Sequence, residues 1–347
     1  MNNNFLANKQ ANLSIMRILA TVAVIFLHTC NTISNNASNY DLSDSSLLYF
    51  TTGNYLMNWA VPIFLMITGI LLLDKEKKIT YHDCIKKYSK RILLALIVFG
   101  IPFSMLEIIM TTKRISFTIL WDAIINVITG KSWSHLWYLY ALIGVYLVLP
   151  LLKAFVDKCS YAEIKTFLIV LFIFNFIIPI VNSIFKISIA FEIPIVSFTI
   201  FYLLLGYQLD KEMPSILCNK QFCAIALLGC IVLLIVANSY LLSNGNSYFN
   251  YNSPLMVVIT ILVFSLIKGI KVNSTERLWQ IDRLCFGVYI VHPIFINFVY
   301  KFLDVTPLNA GRGYLFMTVV FWIIFVLCSF IASWVMGQIK PLKKYIL

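Results

Sequence analysis

Arg17 and His28 stand eleven positions apart in the first apolar run of the chain. At 100° per residue, eleven steps return to within about 20° of the starting azimuth, and at 1.5 Å per residue they cover roughly 16 Å. In a helix the guanidinium and the imidazole therefore share one face, three turns apart. A permanent cation can hold an anion, and an imidazole that titrates near neutral pH can take up and return a proton. An interface arginine and a capped structural histidine would each explain one of them; the shared azimuth sets a paired role on an equal footing with that reading. Tyr289 and His292 lie at i, i+3 in a later apolar run, again on one face. Pro293 follows and frees a backbone carbonyl one turn earlier, which needs another partner inside a membrane. Lys86, Lys87, Lys90 and Arg91 gather at the head of the third apolar run, which suits an anion as well as it suits membrane topology. Trp133, His135, Trp137, Tyr138 and Tyr140 crowd the start of the fourth. Such a run is common in an interfacial aromatic belt, yet flat rings beside His135 and Glu107 also suit a sugar.

The elements that must position these groups follow from composition. Of 347 residues 60% are apolar and 12% charged, with a mean hydropathy of +0.86. A soluble domain carries about 25% charged residues, so a soluble enzyme, a disordered chain, a disulfide-stapled secreted scaffold and a zinc-finger module are excluded. The expectation is an all-α polytopic membrane protein of one domain over residues 1–347, with ten transmembrane helices at about 13–30, 55–73, 91–110, 136–153, 164–181, 193–209, 222–242, 253–270, 284–302 and 314–336. The stretch from Ile115 to Thr129 is shorter and two-faced, and reads as a helix lying at the interface. A charge at the centre of a span costs ~2.5–3.5 kcal/mol on insertion scales, which is why ionisable residues there point to function.

Basic residues accumulate in cytoplasmic loops. With the N-terminus inside, 21 of the 27 Lys and Arg fall on the cytoplasmic side and 6 outside, so both termini are expected in the cytoplasm. Topology thereby accounts for most of the +12 net charge and removes nucleic acid as a partner. The eight cysteines form no C-x-x-C pair and show no metal-ligand spacing, so no metal is expected. Residues 1–12 are polar and lack the short apolar region and cleavage site of a signal peptide, so the first run is expected to stay as a span.

Four stretches resemble the signatures of one family. They are the R-x10-H of Arg17 and His28, VPIFLMITGILLL (Val61 to Leu73), HLWYLYALIGVYLVLPLL (His135 to Leu152) and FGVYIVHP (Phe286 to Pro293). The chain is similar, from about Asn12 to Met336, to acyltransferase family 3, integral-membrane enzymes that O-acylate surface glycans. The resemblance implies ten helices around a pore, acyl-CoA entering from the cytoplasm and a surface or lipid-linked glycan reaching the reactive centre from outside. It also implies the short form without an SGNH domain and a multi-pass location in a bacterial cytoplasmic membrane. Where many members carry R-x-x-R, this chain has KKYSKR, offering Lys87, Lys90 and Arg91.

On that resemblance the residues take roles. His28 serves as general base toward a sugar hydroxyl, or itself carries the acyl group in a ping-pong cycle. Tyr289 or His292 donates to the developing oxyanion. Arg17, Lys87, Lys90 and Arg91 hold the phosphates of acetyl-CoA or another acyl-CoA, and Glu107, His135, Trp137 and Tyr138 contact the glycan. Acetyl is the expected acyl group and succinyl the alternative; a homo-oligomer is compatible with the chain. The rival readings are a polysaccharide or lipid-linked sugar exporter, against which no repeated halves appear, and a sensor without turnover, which leaves the Arg17–His28 spacing without a purpose.

Overall fold

The computed structural model describes residues 3–113, 115–189, 191, 197–243, 249–270, 272 and 275–347, with side chains from Gln10 onward. Among the described residues every regular element is helical. The long ones are α1 (Asn3–Ser34), α2 (Asp44–Leu56), α3 (Ala60–Leu72), α4 (Tyr81–Thr112), α5 (Thr118–Ile128), α6 (Trp137–Lys158), α7 (Tyr161–Phe185), α8 (Phe198–Lys211), α9 (Lys220–Ser243), α10 (Pro254–Lys268), α11 (Glu276–Phe302) and α12 (Tyr314–Met336). Local chemistry sets several starts: Ser43 caps α2, Ser160 and Glu163 form a reciprocal capping box on α7, and Thr275 caps α11. Pro102 and Pro179 each follow a wide π-turn, at residues 96–100 and 173–177. The extra residue in such a turn relieves the crowding that a proline ring causes one turn back.

Among the described residues, eight helical segments are long and apolar enough to cross a membrane: Gln10–Ser34, Asp44–Leu72, Tyr81–Thr112, Ser134–Lys158, Tyr161–Phe185, Lys220–Ser243, Glu276–Phe302 and Pro307–Met336. The protein is thus an all-α, multi-pass membrane protein. Two of the ten expected spans come out shorter, α8 with 14 residues and α10 with 15. At 1.5 Å per residue they reach about 21–23 Å against a hydrocarbon core of about 30 Å. Positions 193–196 of the first of them lie outside the described residues. Every residue of α8 from Phe201 to Leu209 is buried. Both helices are largely buried among their neighbours. By contrast Leu228, Val232 and Val236 on α9 and Phe316, Leu327 and Ile331 on α12 face outward, as lipid contact requires. The stretch expected to lie at the interface forms α5, with Leu120, Trp121 and Ile128 exposed.

The chain divides into two compact units, residues 1–74 with 160–333 and residues 75–159 with 334–347. In the first, α3 and α8 meet backbone to backbone. A Cβ on Gly69 would fall 1.9 Å from the Leu203 carbonyl oxygen, and one on Gly206 would fall 2.4 Å from Met66 Cα. Only glycine fits at either place, which gives the Gly of the ITGILLL stretch a packing reason. Beside them α1 lies along α11 around a core of Ile25, Ile33, Phe50, Val288, Ile296 and Tyr300. Helix α12 closes on α1 through the Trp322 indole, which donates to the Val22 carbonyl at 3.0 Å and meets Phe26 edge to face. The second unit holds α4, α5 and α6. There the Tyr140 hydroxyl donates to the Val127 carbonyl at 2.5 Å and Asn126 donates to the Ser104 hydroxyl at 3.1 Å.

Candidate active site

Helices α1 and α11 meet at two polar rungs. At the lower rung, Arg17 Nη1 lies 2.5 Å from both carboxylate oxygens of Asp282, and the Ser14 hydroxyl donates to Asp282 Oδ2 at 2.8 Å. The Asp282 side chain is 9% exposed and that of Arg17 28%. At the upper rung the rings of His28 and His292 lie 5.1 Å apart, centroid to centroid, tilted by 45°. The rungs are eleven residues apart on α1 and ten on α11, roughly 16 and 15 Å. Since each helix meets the pair in the same order, the two run parallel, and the geometry is a ladder. Three of the residues singled out by spacing, Arg17, His28 and His292, are brought together here with a fourth, Asp282.

Pro293 explains the state of the upper rung. Lacking an N–H, it leaves the Tyr289 carbonyl without its normal helical donor. His292 supplies one: its Nδ1 lies 2.8 Å from Tyr289 O and 3.2 Å from Val288 O. A carbonyl only accepts, so Nδ1 carries the proton, and in the neutral ring Nε2 is the acceptor nitrogen. His292 is fully buried, while His28 and Tyr289 are half-buried. The one N–H of neutral His292 is therefore committed to its own helix, which leaves the Tyr289 phenol, on a ring 6.1 Å from that of His292, as the donor suited to an oxyanion.

The other expected site residues belong to the second unit. Lys87 and Lys90 are exposed near the start of α4, with Lys87 Nζ 5.7 Å from the Tyr88 ring centroid. Arg91 donates from Nε to the Ile346 carbonyl and from Nη2 to that of Leu347, both at 2.6 Å. Glu107 is exposed. Trp133 stacks on Phe103 at 4.6 Å and 18°, and His135, 3% exposed, lies against both rings. Tyr138 is buried and Trp137, edge-on to it, half-buried. Much of the aromatic run is thus internal packing, with Trp137 and Tyr140 its half-buried members.

Spacing alone does not reveal Asp282. It sits two residues before the expected start of its span at 284, and ten steps put it about 80° from His292, outside any same-face pattern. No sequence signal pairs it with Arg17, since a contact between helices leaves no periodicity in either and Arg283 stands beside it in the chain. Among the described residues no group of His, Cys, Asp and Glu could hold a metal ion.

The arrangement amounts to a half-buried imidazole, an oriented second imidazole, a phenol beside them and an ion pair between the same two helices. Such a set can move a proton and stabilise a developing oxyanion. Comparison with known proteins points the same way. The profile of the Acyltransferase domain family, acyltransferase 3, matches residues 10–338, across both units. No curated protein and no solved structure matches the chain. Matched over nearly its whole length, the chain belongs to the acyltransferase 3 family of membrane acyltransferases.

Proposed function

We propose that the protein is a membrane O-acyltransferase that moves an acyl group, acetyl in the first instance and succinyl as the alternative, from cytoplasmic acyl-CoA to a hydroxyl of a cell-surface or lipid-linked glycan. The distribution of basic residues supports both termini inside, and the family resemblance suggests a bacterial cytoplasmic membrane as the setting. The observation that carries the reading is the upper rung: a half-buried His28 beside a histidine whose tautomer its own helix dictates. With Nδ1 donating to the Tyr289 carbonyl, the His292 ring is held in place against that of His28 and turns Nε2, the acceptor nitrogen of the neutral ring, to the other side.

In the proposed step a nitrogen of His28 takes the proton of the acceptor hydroxyl as its oxygen attacks the thioester carbonyl. The carbonyl oxygen becomes an oxyanion, to which the Tyr289 phenol donates. Collapse of the tetrahedral intermediate breaks the C–S bond, and the proton on His28 passes to the leaving sulfur, giving CoA thiol and the acyl ester. Atoms and charge balance, with no other reactant.

For the donor, Lys87 and Lys90 have the charge and exposure that phosphates require. Arg17 is matched by the Asp282 carboxylate, which favours a positioning role in which it ties α1 to α11 so that the imidazoles share a level. The test is transfer of label from radiolabelled acetyl-CoA, and separately succinyl-CoA, to surface polysaccharide by the purified protein. His28→Ala should lower transfer at least a hundred-fold, within the range for loss of a general base, with the protein still accumulating. Wild-type protein that neither releases CoA nor labels glycan would refute the reading.

A further inference from the structure

Beyond the upper rung, where α1 and α11 end, lies a cavity of about 600 Å³ whose walls include Asn36, Asn39, Tyr40, Lys301, Asp304 and Asn309. Ligand sites typically span about 300–1,000 Å³, so this one has room for a small ligand or part of a larger one. Its chemistry is specific. Asn39 offers both donors and an acceptor, the Asn36 amide donates to the Thr32 carbonyl and keeps its oxygen as an acceptor, and Asn309 accepts from Thr306 through its oxygen and keeps its amide donors, a mixed set that a ring bearing hydroxyl or acetamido groups requires. Lys301 and Asp304 contribute opposite charges, and among the described residues neither makes an ion pair. A lining so balanced gives a polyanion such as the phosphates of CoA no advantage, and suits a neutral polar solute. Tyr40 is half-buried, and its hydroxyl reaches the Tyr300 carbonyl at 3.5 Å. Burial, and after it the Asp304 carboxylate, push the Tyr40 phenol above its ordinary value, so it stays a neutral hydroxyl with an aromatic face.

The position links the cavity to the imidazoles. Asn36 donates to the Thr32 carbonyl at 2.7 Å and Thr32 donates to the His28 carbonyl at 2.8 Å, so two steps along α1, about 12 Å, lead from the cavity wall to His28. On α11 Tyr300 stands the same eight residues beyond His292. The basic-residue distribution places this end of both helices outside the membrane, opposite the expected entry of the acyl donor.

We propose that this cavity is an acceptor subsite that holds a neutral, polyhydroxylated sugar unit of the glycan and so selects which hydroxyl is delivered to His28. The proposal rests on the acyltransferase reading above. It assigns Asn39 and Lys301 a binding role that the aromatic run of the second unit does not cover.

The test uses the full chain in detergent or nanodiscs, labelled acetyl-CoA and succinyl-CoA as donors, and alkali-treated surface polysaccharide from the cells that make the protein as acceptor. Asn39 and Lys301 are exposed and their side chains make no hydrogen bond among the described residues, so substitution there leaves packing intact. Asn39→Ala and Lys301→Ala should raise the half-saturating polysaccharide concentration five-fold or more, with maximal rate and donor half-saturation within two-fold of wild type. Asn39→Trp, which fills the cavity, should lower transfer at least ten-fold at sub-saturating acceptor. Unchanged acceptor half-saturation in all three variants overturns the assignment, as does a fall in maximal rate alone, the signature of a structural fault. If wild-type protein transfers no acyl group, the acyltransferase reading itself has failed; if it transfers and the variants match it, only the cavity assignment falls.

Discussion

Replacing Asp282 by asparagine separates the two roles that Arg17 could play. Two unit charges about 4 Å apart at an effective dielectric near 20 attract by ~4 kcal/mol, and removing one partner of a fully buried pair costs ~3–5 kcal/mol. Here the arginine side chain is 28% exposed and water shares it. Asparagine also keeps one acceptor for the guanidinium or for Ser14, so about 2 kcal/mol is a fair figure for the tie, or roughly thirty-fold in rate. If the tie aligns His28 with His292, Asp282→Asn lowers kcat about thirty-fold and leaves acyl-CoA half-saturation within about three-fold. Arg17→Gln then does the same, and the double variant is no worse than either single one, because both remove one interaction. If Arg17 instead binds a donor phosphate, freeing it from the carboxylate should tighten acyl-CoA half-saturation in Asp282→Asn. The assay is transfer of label from acyl-CoA to polysaccharide, since eight free cysteines would confound a thiol reagent. A tightened donor half-saturation, or single losses that multiply in the double variant, refutes the positioning role.

Three further outcomes follow from the packing. His292→Ala should cost about 1–3 kcal/mol by stranding the Tyr289 carbonyl; adding Pro293→Ala restores a backbone donor, so the double variant should regain survival of heating in detergent while transfer stays low. Gly69→Ala and Gly206→Ala each drive a methyl into the opposing backbone, within 1.9 and 2.4 Å, and should reduce the amount of folded protein in the membrane by well over half, read as monodisperse material after extraction. Arg91→Ala frees the carbonyls of residues 346 and 347 from a contact at the edge of the second unit, and should change donor half-saturation less than Lys87→Ala or Lys90→Ala, measured by titrating acyl-CoA.

How far the residues announced this arrangement depends on the kind of information each one carries. Periodicity within a helix is legible, and it put Arg17 with His28 and Tyr289 with His292. The proline rule foretold a carbonyl in need of a partner; that its own neighbour, His292, would supply the donor required the rotamer. Pairing between helices has no signature in a single chain, so neither the His28–His292 contact nor Asp282 could be read. Hydropathy reports that a segment avoids water without saying whether lipid or protein replaces it, which is why α8 and α10 read as spans although both fall short of membrane length. The same ambiguity affected the aromatic run: Trp133 and His135 have the composition of an interfacial belt or a sugar platform, and Phe103 turns them into internal packing.

The ladder also explains why an ion pair belongs at its foot. A slip of one residue between parallel helices moves a side chain by only 1.5 Å along the axis but swings it by 100°, enough to turn His28 away from His292 while leaving the apolar contacts of Ile25, Val288 and Ile296 nearly as favourable. Aliphatic contacts are non-directional, whereas a hydrogen-bonded ion pair is lost outright when its partners are displaced. Arg17 and Asp282 are directional and have no equivalent partner one residue away: position 283 is an arginine and 281 an isoleucine. On the proposed positioning role, this one charged rung sets the alignment of the imidazole pair above it, and the Asp282→Asn and Arg17→Gln comparison is the measurement that decides it.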